Sequence, residues 1–435
     1  MKNSRRRLGL SFGTVFMLLF TVLVALCCAG FLYMIAGEDA AMRATDILSS
    51  FTFAQETAEP ALRVRTAEAA PGVYSAPPAV QATASPAPTQ TPVPEKKTIT
   101  IAAAGTVYAP KAVRQTVETQ PDQYDFAPVF APIAPVLESA DLAIATLETT
   151  TAGSEKGYGN YNTPVQLLDA LRACGVDLVS LATERALDKG YDGLAITMQE
   201  LTSRGMSCAG ACTEGKESAS MSSIGGVQVA VLAYTYGLSG EGEGKTQADA
   251  QSMVSQLDIE RIRSDIAGAR REGANLVIVL PHWGTKNKAV TPEAVVAMAK
   301  AMAEAGADIV LGTHPNVVQG IEWMTTTRAD GLPYETLVCY SLGSLLTDAR
   351  TEENTAGMAV SVDVTYDPVT RRVEIASPRI TPLYIAKTRE EEKTVYRVVP
   401  AEDENALEAL EEKERAAAVK AAGLVREAAA QEESE

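Results

Sequence analysis

The chain is 435 residues long, 46% hydrophobic, and carries a formal net charge of −17 at pH 7. Its length accommodates one large α/β domain or two smaller ones with tails. The acidic balance excludes nucleic acid as a partner, because counterion release at a phosphate backbone needs a basic footprint that this composition lacks.

Lys2, Arg5, Arg6 and Arg7 precede an almost uninterrupted apolar run over residues 8–36, and Glu38 and Asp39 follow it. At 1.5 Å per residue such a run exceeds the roughly 30 Å hydrocarbon layer of a bilayer, so it reads as one transmembrane anchor. A cleaved signal peptide has a shorter apolar core, about 7 to 15 residues. The basic residues keep positions 1–7 cytoplasmic, which sends the remainder outside as a single-pass protein of the cell membrane. Residues 37–97 follow as a disordered stalk, rich in Ala, Pro and Thr from Glu56 onward. Prolines remove amide donors and favour extended polyproline II there.

Residues 98–400 carry the folded part. Thr98–Ala104 and Asp141–Thr146 are β-branched and apolar enough for strands, and Leu167, Leu168 and Leu171 mark a helix that Gly175 ends. Val176–Ala182 reads as the next strand, then a helix from Asp192 to Ser203, a short strand near Met206–Ala209 and another over Val227–Tyr234. This alternation of buried strands with helices predicts an α/β fold.

Only two histidines occur, and both follow hydrophobic runs: Leu276–Leu280 leads to Pro281-His282-Trp283, and Asp308–Gly312 leads to Thr313-His314-Pro315. Thr291-Pro292 and Gly306 bracket a helix between the runs, so the unit is strand, helix, strand. Such a crossover puts both strand ends on one edge of a parallel sheet, where open α/β folds build their sites. Neutral imidazole is the commonest transition-metal ligand and a general acid or base near neutral pH. Beyond Trp323 the rhythm changes. Tyr334–Tyr340, Gly357–Tyr366, Arg372–Ala376 and Thr394–Val399 look strand-like with little helix between, which predicts an antiparallel section. Residues 401–435, mostly Ala, Glu, Lys and Arg, suit a charged helix ending in a solvated tail. Cys208 and Cys212 are the nearest cysteine pair outside the apolar run, read as buried thiols or one optional bridge.

In order and spacing, several segments resemble the CapA or PgsA-type capsule and poly-γ-glutamate synthesis proteins. They are Asp141–Thr149, Gly175–Ala182, Ala186–Gly190, His282-Trp283-Gly284, Gly312–Pro315 with Val318-Gln319-Gly320, and Tyr340–Ser344. The resemblance implies a layered α/β sandwich of the calcineurin-like metallophosphoesterase type over residues 98–400. It also shows degenerate metal-site motifs. Thr106 stands where the family has an acidic residue and Thr146 where it has an amide. Thr183-Glu184-Arg185 replaces Asn-Asn-His, and Asn316 replaces the last residue of His-Pro-His. Threonine hydroxyls are poor metal ligands, and Arg185 would set a permanent cation where a dication belongs.

Catalysis would then rest on His282, His314 and Glu148, the same trio being the metal ligands if any metal binds. Arg185, Glu184, Asn316, Asp188, Thr106 and Thr146 are the expected binding residues. The expected cofactor is none, or one weakly held divalent metal. The expected function is a membrane-anchored extracellular component of capsule or poly-γ-glutamate-type polymer synthesis or export. It would bind an anionic polymer and work beside other polymer-synthesis membrane proteins; the alternative is an active metal-dependent hydrolase or transferase on an envelope polymer.

Overall fold

The computed structural model describes residues 94–213, 219–239, 252–327, 331, 333–390 and 393–430. The expected anchor at 8–36 and nearly all of the stalk lie outside these. Among the described residues no helix is long and apolar enough to cross a membrane.

Strands run in chain order as β1 (Lys97–Val107), β2 (Glu118–Gln120), β3 (Gln123–Tyr124), β4 (Leu142–Leu147), β5 (Leu178–Ser180), β6 (Ser207–Ala209), β7 (Ser220–Ile224), β8 (Val227–Thr235) and β9 (Leu276–His282). They continue as β10 (Ile309–Leu311), β11 (Ile321–Thr327), β12 (Pro333–Cys339), β13 (Ser344–Leu346), β14 (Ala356–Asp367), β15 (Arg372–Ile375), β16 (Arg379–Glu390) and β17 (Lys393–Pro400). Five helices of eight or more described residues accompany them: α1 (Gln166–Ala173), α2 (Gly190–Ser203), α3 (Ile259–Arg271), α4 (Glu293–Ala305) and α5 (Glu412–Ala430).

Two large mixed sheets result. In the first the order is β17-β16-β14-β1-β4-β5-β6, with β13 also on β1 and β15 on β14. Its β1, β4, β5 and β6 run parallel, while β14, β16 and β17 are antiparallel. The second runs β11-β12-β10-β9-β8-β7, parallel from β8 through β12 with an antiparallel strand at each edge. β2 and β3 make a separate hairpin. The antiparallel strands expected after Trp323 therefore divide between the two sheets.

Alternation along β8 shows how the layers form. Val229, Val231 and Ala233 join a core shared with Ile99, Ile101 and Ala103 of β1, whereas Ala230, Leu232 and Tyr234 face Ile262 and Ile266 of α3 and Ala299 and Met302 of α4. Successive strand residues point to opposite faces, so an uninterrupted apolar run is the pattern of a strand covered on both sides. Sheet packs on sheet, and helices cover the outer face of the second.

The charged C-terminal helix is present but not exposed as expected, and the tail at 431–435 lies outside the described residues. α5 lies against the first sheet with Ala418, Ala421, Ala422 and Val425 buried in its core. Glu414 accepts hydrogen bonds from Tyr384 Oη at 2.8 Å and from the Lys387 amide at 2.9 Å. The Ala-rich composition suits close approach to a sheet as well as it suits a free helix, so composition misses the docking. Glu414→Ala should cost about 1–3 kcal/mol, since it strips the acceptor from one buried and one part-buried donor; an unchanged melting temperature would return α5 to the status of a tail. Among the described residues no disulfide joins Cys208 to Cys212.

Candidate functional site

The parallel strands of both sheets end at one edge, and the chemistry-bearing residues sit at or just past those ends. Thr106 is the penultimate residue of β1, Glu148 follows β4, Glu184 and Arg185 come shortly after β5, His282 ends β9, and Thr313-His314 follows β10. Thr106 and Ser180 each lie in register with Thr146 of the strand between them, and His282 bridges to Thr313.

His282 is fully buried. Its Nε2 is 2.6 Å from Glu184 Oε2 and its Nδ1 is 3.0 Å from Thr313 Oγ1. One neutral tautomer satisfies both: Nε2–H donates to the carboxylate while Nδ1 accepts from the hydroxyl. Burial lowers the His282 pKa to about 4 despite the bond to Glu184, which keeps the ring neutral at pH 7. His314 lies edge-on to it, Nδ1 3.2 Å from His282 Nε2 and 3.6 Å from Glu184 Oε2, and Tyr236 flanks His314 at 4.5 Å between ring centres.

Lys286 completes the cluster. Its ammonium is 2.7 Å from Glu184 Oε1 and 3.5 Å from Glu148 Oε1. Burial would lower its pKa, but Glu148 and Glu184 outweigh that and raise it. Burial would likewise raise the Glu184 carboxyl, yet the hydrogen bond from His282, the nearness of His314 and Lys286 hold it far below the usual carboxylate range. Burial, and then the charge of Glu184, push Glu148 up to about 8 against the pull of Lys286 and Arg185.

Arg185 stands to one side, 25% exposed at its side chain. Its guanidinium lies 3.9 Å over the Tyr161 ring, which stacks on Tyr108. Its Nη1 is 3.5 Å from Asp188 Oδ2 and donates to Ser239 Oγ at 3.0 Å, while its Nε stays 3.9 Å from Glu184 Oε1. The cation closest to the carboxylates is therefore Lys286, where sequence pattern pointed to Arg185.

The loops carrying these groups are held in costly backbone shapes. His314, Asn316 and Asn287 have φ of 100°, 60° and 59°. Non-glycine residues adopt such angles only where the surroundings enforce them. Here Asn354 Nδ2 donates to Asn287 Oδ1 at 2.8 Å and to the Asn316 carbonyl at 3.0 Å, and Asn287 N donates to the Pro315 carbonyl at 2.7 Å. Asn316 thus enters through its backbone. Thr146 Oγ1 lies 3.4 Å from Thr313 Oγ1, whereas Thr106 Oγ1 is buried with no hydrogen-bond partner among the described residues.

The metal question turns on this donor set. Glu184, His282 and His314 offer one ligand atom each within 4.8 Å of one another, the number and kind that suit a single transition metal. Sequence pattern placed Glu148 in that trio; the structure puts Glu184 there and sets Glu148 on the far side of Lys286. A two-ion centre does not fit. Among the described residues no second group of three such donors stands beside the trio, Thr106 and Thr146 bring hydroxyls, and an ammonium already occupies Glu184 Oε1. Lys286, Tyr236, Tyr161 and Ser239 left no signal in the sequence beyond lying near strand ends, since a lysine between Thr285 and Asn287 reads as ordinary loop.

Known proteins agree with the resemblance in the motifs. The family described as bacterial capsule synthesis protein PGA_cap matches residues 100–349. The capsule biosynthesis protein CapA of Bacillus anthracis is 26% identical over 279 residues, covering 62% of this chain and 64% of that protein. The PGA biosynthesis protein CapA of Bacillus subtilis strain 168 is 25% identical over 241 residues, 53% of this chain and 60% of that one. The chain thus spans somewhat under two thirds of the length of these relatives. Among solved structures, the calcineurin-like phosphoesterase YfkN of Bacillus subtilis is similar at a TM-score of 0.41 and 13% identity, over 75% of this chain and 100% of that chain. With the family matched over more than half of its 435 residues, the chain belongs to the bacterial capsule synthesis PGA_cap family.

Proposed function

We propose that this chain is a membrane-anchored, extracellular component of capsule-type polymer synthesis or export, and that its strand-end site binds an anionic polymer rather than hydrolysing one. The observation that carries this reading is the pair of cations at the site's mouth, Arg185 and Lys286, 25% and 35% exposed at their side chains and braced by Tyr161 and by Glu184. In a chain of net charge −17 such a pair stands out locally. Charges farther away than a Debye length, about 8 Å at physiological ionic strength, are screened, so the near cations decide what a bound carboxylate meets. A guanidinium held over an aromatic ring, as Arg185 is at 3.9 Å from the Tyr161 ring centre, is pre-organised for a two-pronged contact with a carboxylate. The capsule and PGA biosynthesis names of the relatives supply the polymer class, and the basic residues before the apolar run at 8–36 support the anchoring.

The test is direct binding of labelled poly-γ-glutamate to the full chain, purified in detergent, by fluorescence anisotropy at fixed salt. Wild type should bind, and Arg185→Ala should weaken binding by about tenfold, which corresponds to about 1.4 kcal/mol. Equal affinity of the two proteins, or no binding by either, would sink the reading.

A further inference from the structure

We propose that Lys286 is a tethered cation standing in the place of a metal ion, and that removing its charge uncovers a divalent-cation site made by Glu148, Glu184, His282 and His314. Nothing in the argument requires the polymer reading.

The geometry supports it at each atom. The ammonium lies 2.7 Å from Glu184 Oε1 and 3.5 Å from Glu148 Oε1, bridging carboxyl groups that come from the ends of two adjacent strands. A zinc-type ion would need carboxylate oxygens at about 2.0–2.2 Å and imidazole nitrogens at about 2.0–2.1 Å. The other Glu184 oxygen faces both imidazoles, 2.6 Å from His282 Nε2 and 3.6 Å from His314 Nδ1. An ion drawn in by these donors would sit against the Lys286 ammonium, and like charges at such a separation in a buried site repel strongly. The ammonium brings a compact charge that ion-pairs Glu184 Oε1 and donates a hydrogen bond to Glu148 Oε1, offsetting carboxylate charge that burial would otherwise leave uncompensated.

Lys286 is also held there rather than wandering. The next residue, Asn287, has a left-handed backbone fixed by Asn354, and Gln319 Nε2 donates to the Lys288 carbonyl at 2.8 Å. Taking the ammonium away leaves Glu184 with the two imidazoles, and the Glu148 carboxyl that Lys286 had held beside them, an oxygen and nitrogen set that suits zinc or manganese.

The experiment measures metal on the full chain in detergent, loaded with zinc or manganese and then gel-filtered. Elemental analysis gives the content, titration calorimetry the affinity and thermal unfolding the stabilisation. Wild type should retain well under one equivalent. Lys286→Ala should retain about one equivalent, with affinity raised at least tenfold and a metal-dependent rise in melting temperature. Lys286→Arg, which keeps the charge, should stay metal-poor, and adding His282→Ala to Lys286→Ala should abolish the gain. If Lys286→Ala does not fold, Lys286→Gln removes the charge at nearly constant volume and is read the same way. A wild-type protein holding one or more ions tightly would overturn the proposal. So would a folded Lys286→Ala or Lys286→Gln protein with no gain, or a gain in Lys286→Arg equal to that in alanine. The polymer reading is tested separately, at Arg185, so a failure here without a loss of polymer binding is distinguishable from a failure of that reading.

Discussion

Asp308→Ala is expected to destabilise the chain by about 3 kcal/mol, although the residue lies far from any strand end that carries chemistry. Asp308 is fully buried at the start of β10. One carboxylate oxygen accepts from Arg270 Nη2 at 2.5 Å and from the Val277 amide at 2.6 Å, and the other accepts from the Tyr334 hydroxyl. Arg270 also donates to the carbonyls of Ala274, Asn275 and Gly306. The cluster therefore ties α3, β9, β10 and β12 together at the edge opposite the site. Alanine leaves a guanidinium without its counter-charge and the Val277 amide without that acceptor, which costs more than the pair itself contributes. Because the Arg270 side chain keeps about a third of its surface exposed, the effect belongs at the lower end of the range for buried pairs. Denaturant unfolding with an unchanged m-value would read it; a loss under about 1 kcal/mol would contradict the account.

Gly312→Ala should be at least as damaging, by about 3 kcal/mol or more, and should also disturb the site. A Cβ at this position would lie 2.0 Å from the Tyr340 carbonyl oxygen and 2.5 Å from Trp283 Nε1. The first of these is backbone and cannot rotate away. Relief would require separating β10 from β12, which are held by Gly312 N donating to the Cys339 carbonyl at 2.7 Å and by Leu342 N donating to the Gly312 carbonyl at 3.0 Å. Trp283 Nε1 would lose its bond to Tyr340 O as well, now 2.9 Å. Thr313 and His314 follow immediately, so the same shift should weaken poly-γ-glutamate binding at least as much as Arg185→Ala does. Thermal unfolding and the anisotropy assay measure the two effects, and a variant with wild-type melting temperature would show that the close approach is not required.

The sequence by itself determined the elements whose burial is local and periodic. The runs that became β4, β8, β9 and β10 are apolar on both faces, the run of β1 becomes so from Ile101 on, and the glycine and proline punctuation around α1 and α4 marks their ends, so strand and helix could be read directly. It also placed both histidines on one edge, because a strand-helix-strand crossover leaves no other choice. Residues 379–390 of β16 and 412–430 of α5 were not legible as core, since what buries them is the first sheet and not their own spacing. Only the tertiary structure decided which charges meet. Glu148 and Glu184 follow neighbouring strands of one sheet and Lys286 leaves the other, and the separation in sequence, 98 residues between Glu184 and His282, carries no information about a 2.6 Å contact. Backbone periodicity reports which face a residue takes, a property of its own strand. Charge pairing depends on how two sheets set their edges together, and that is fixed by the packing of the core between them rather than by any segment of the chain.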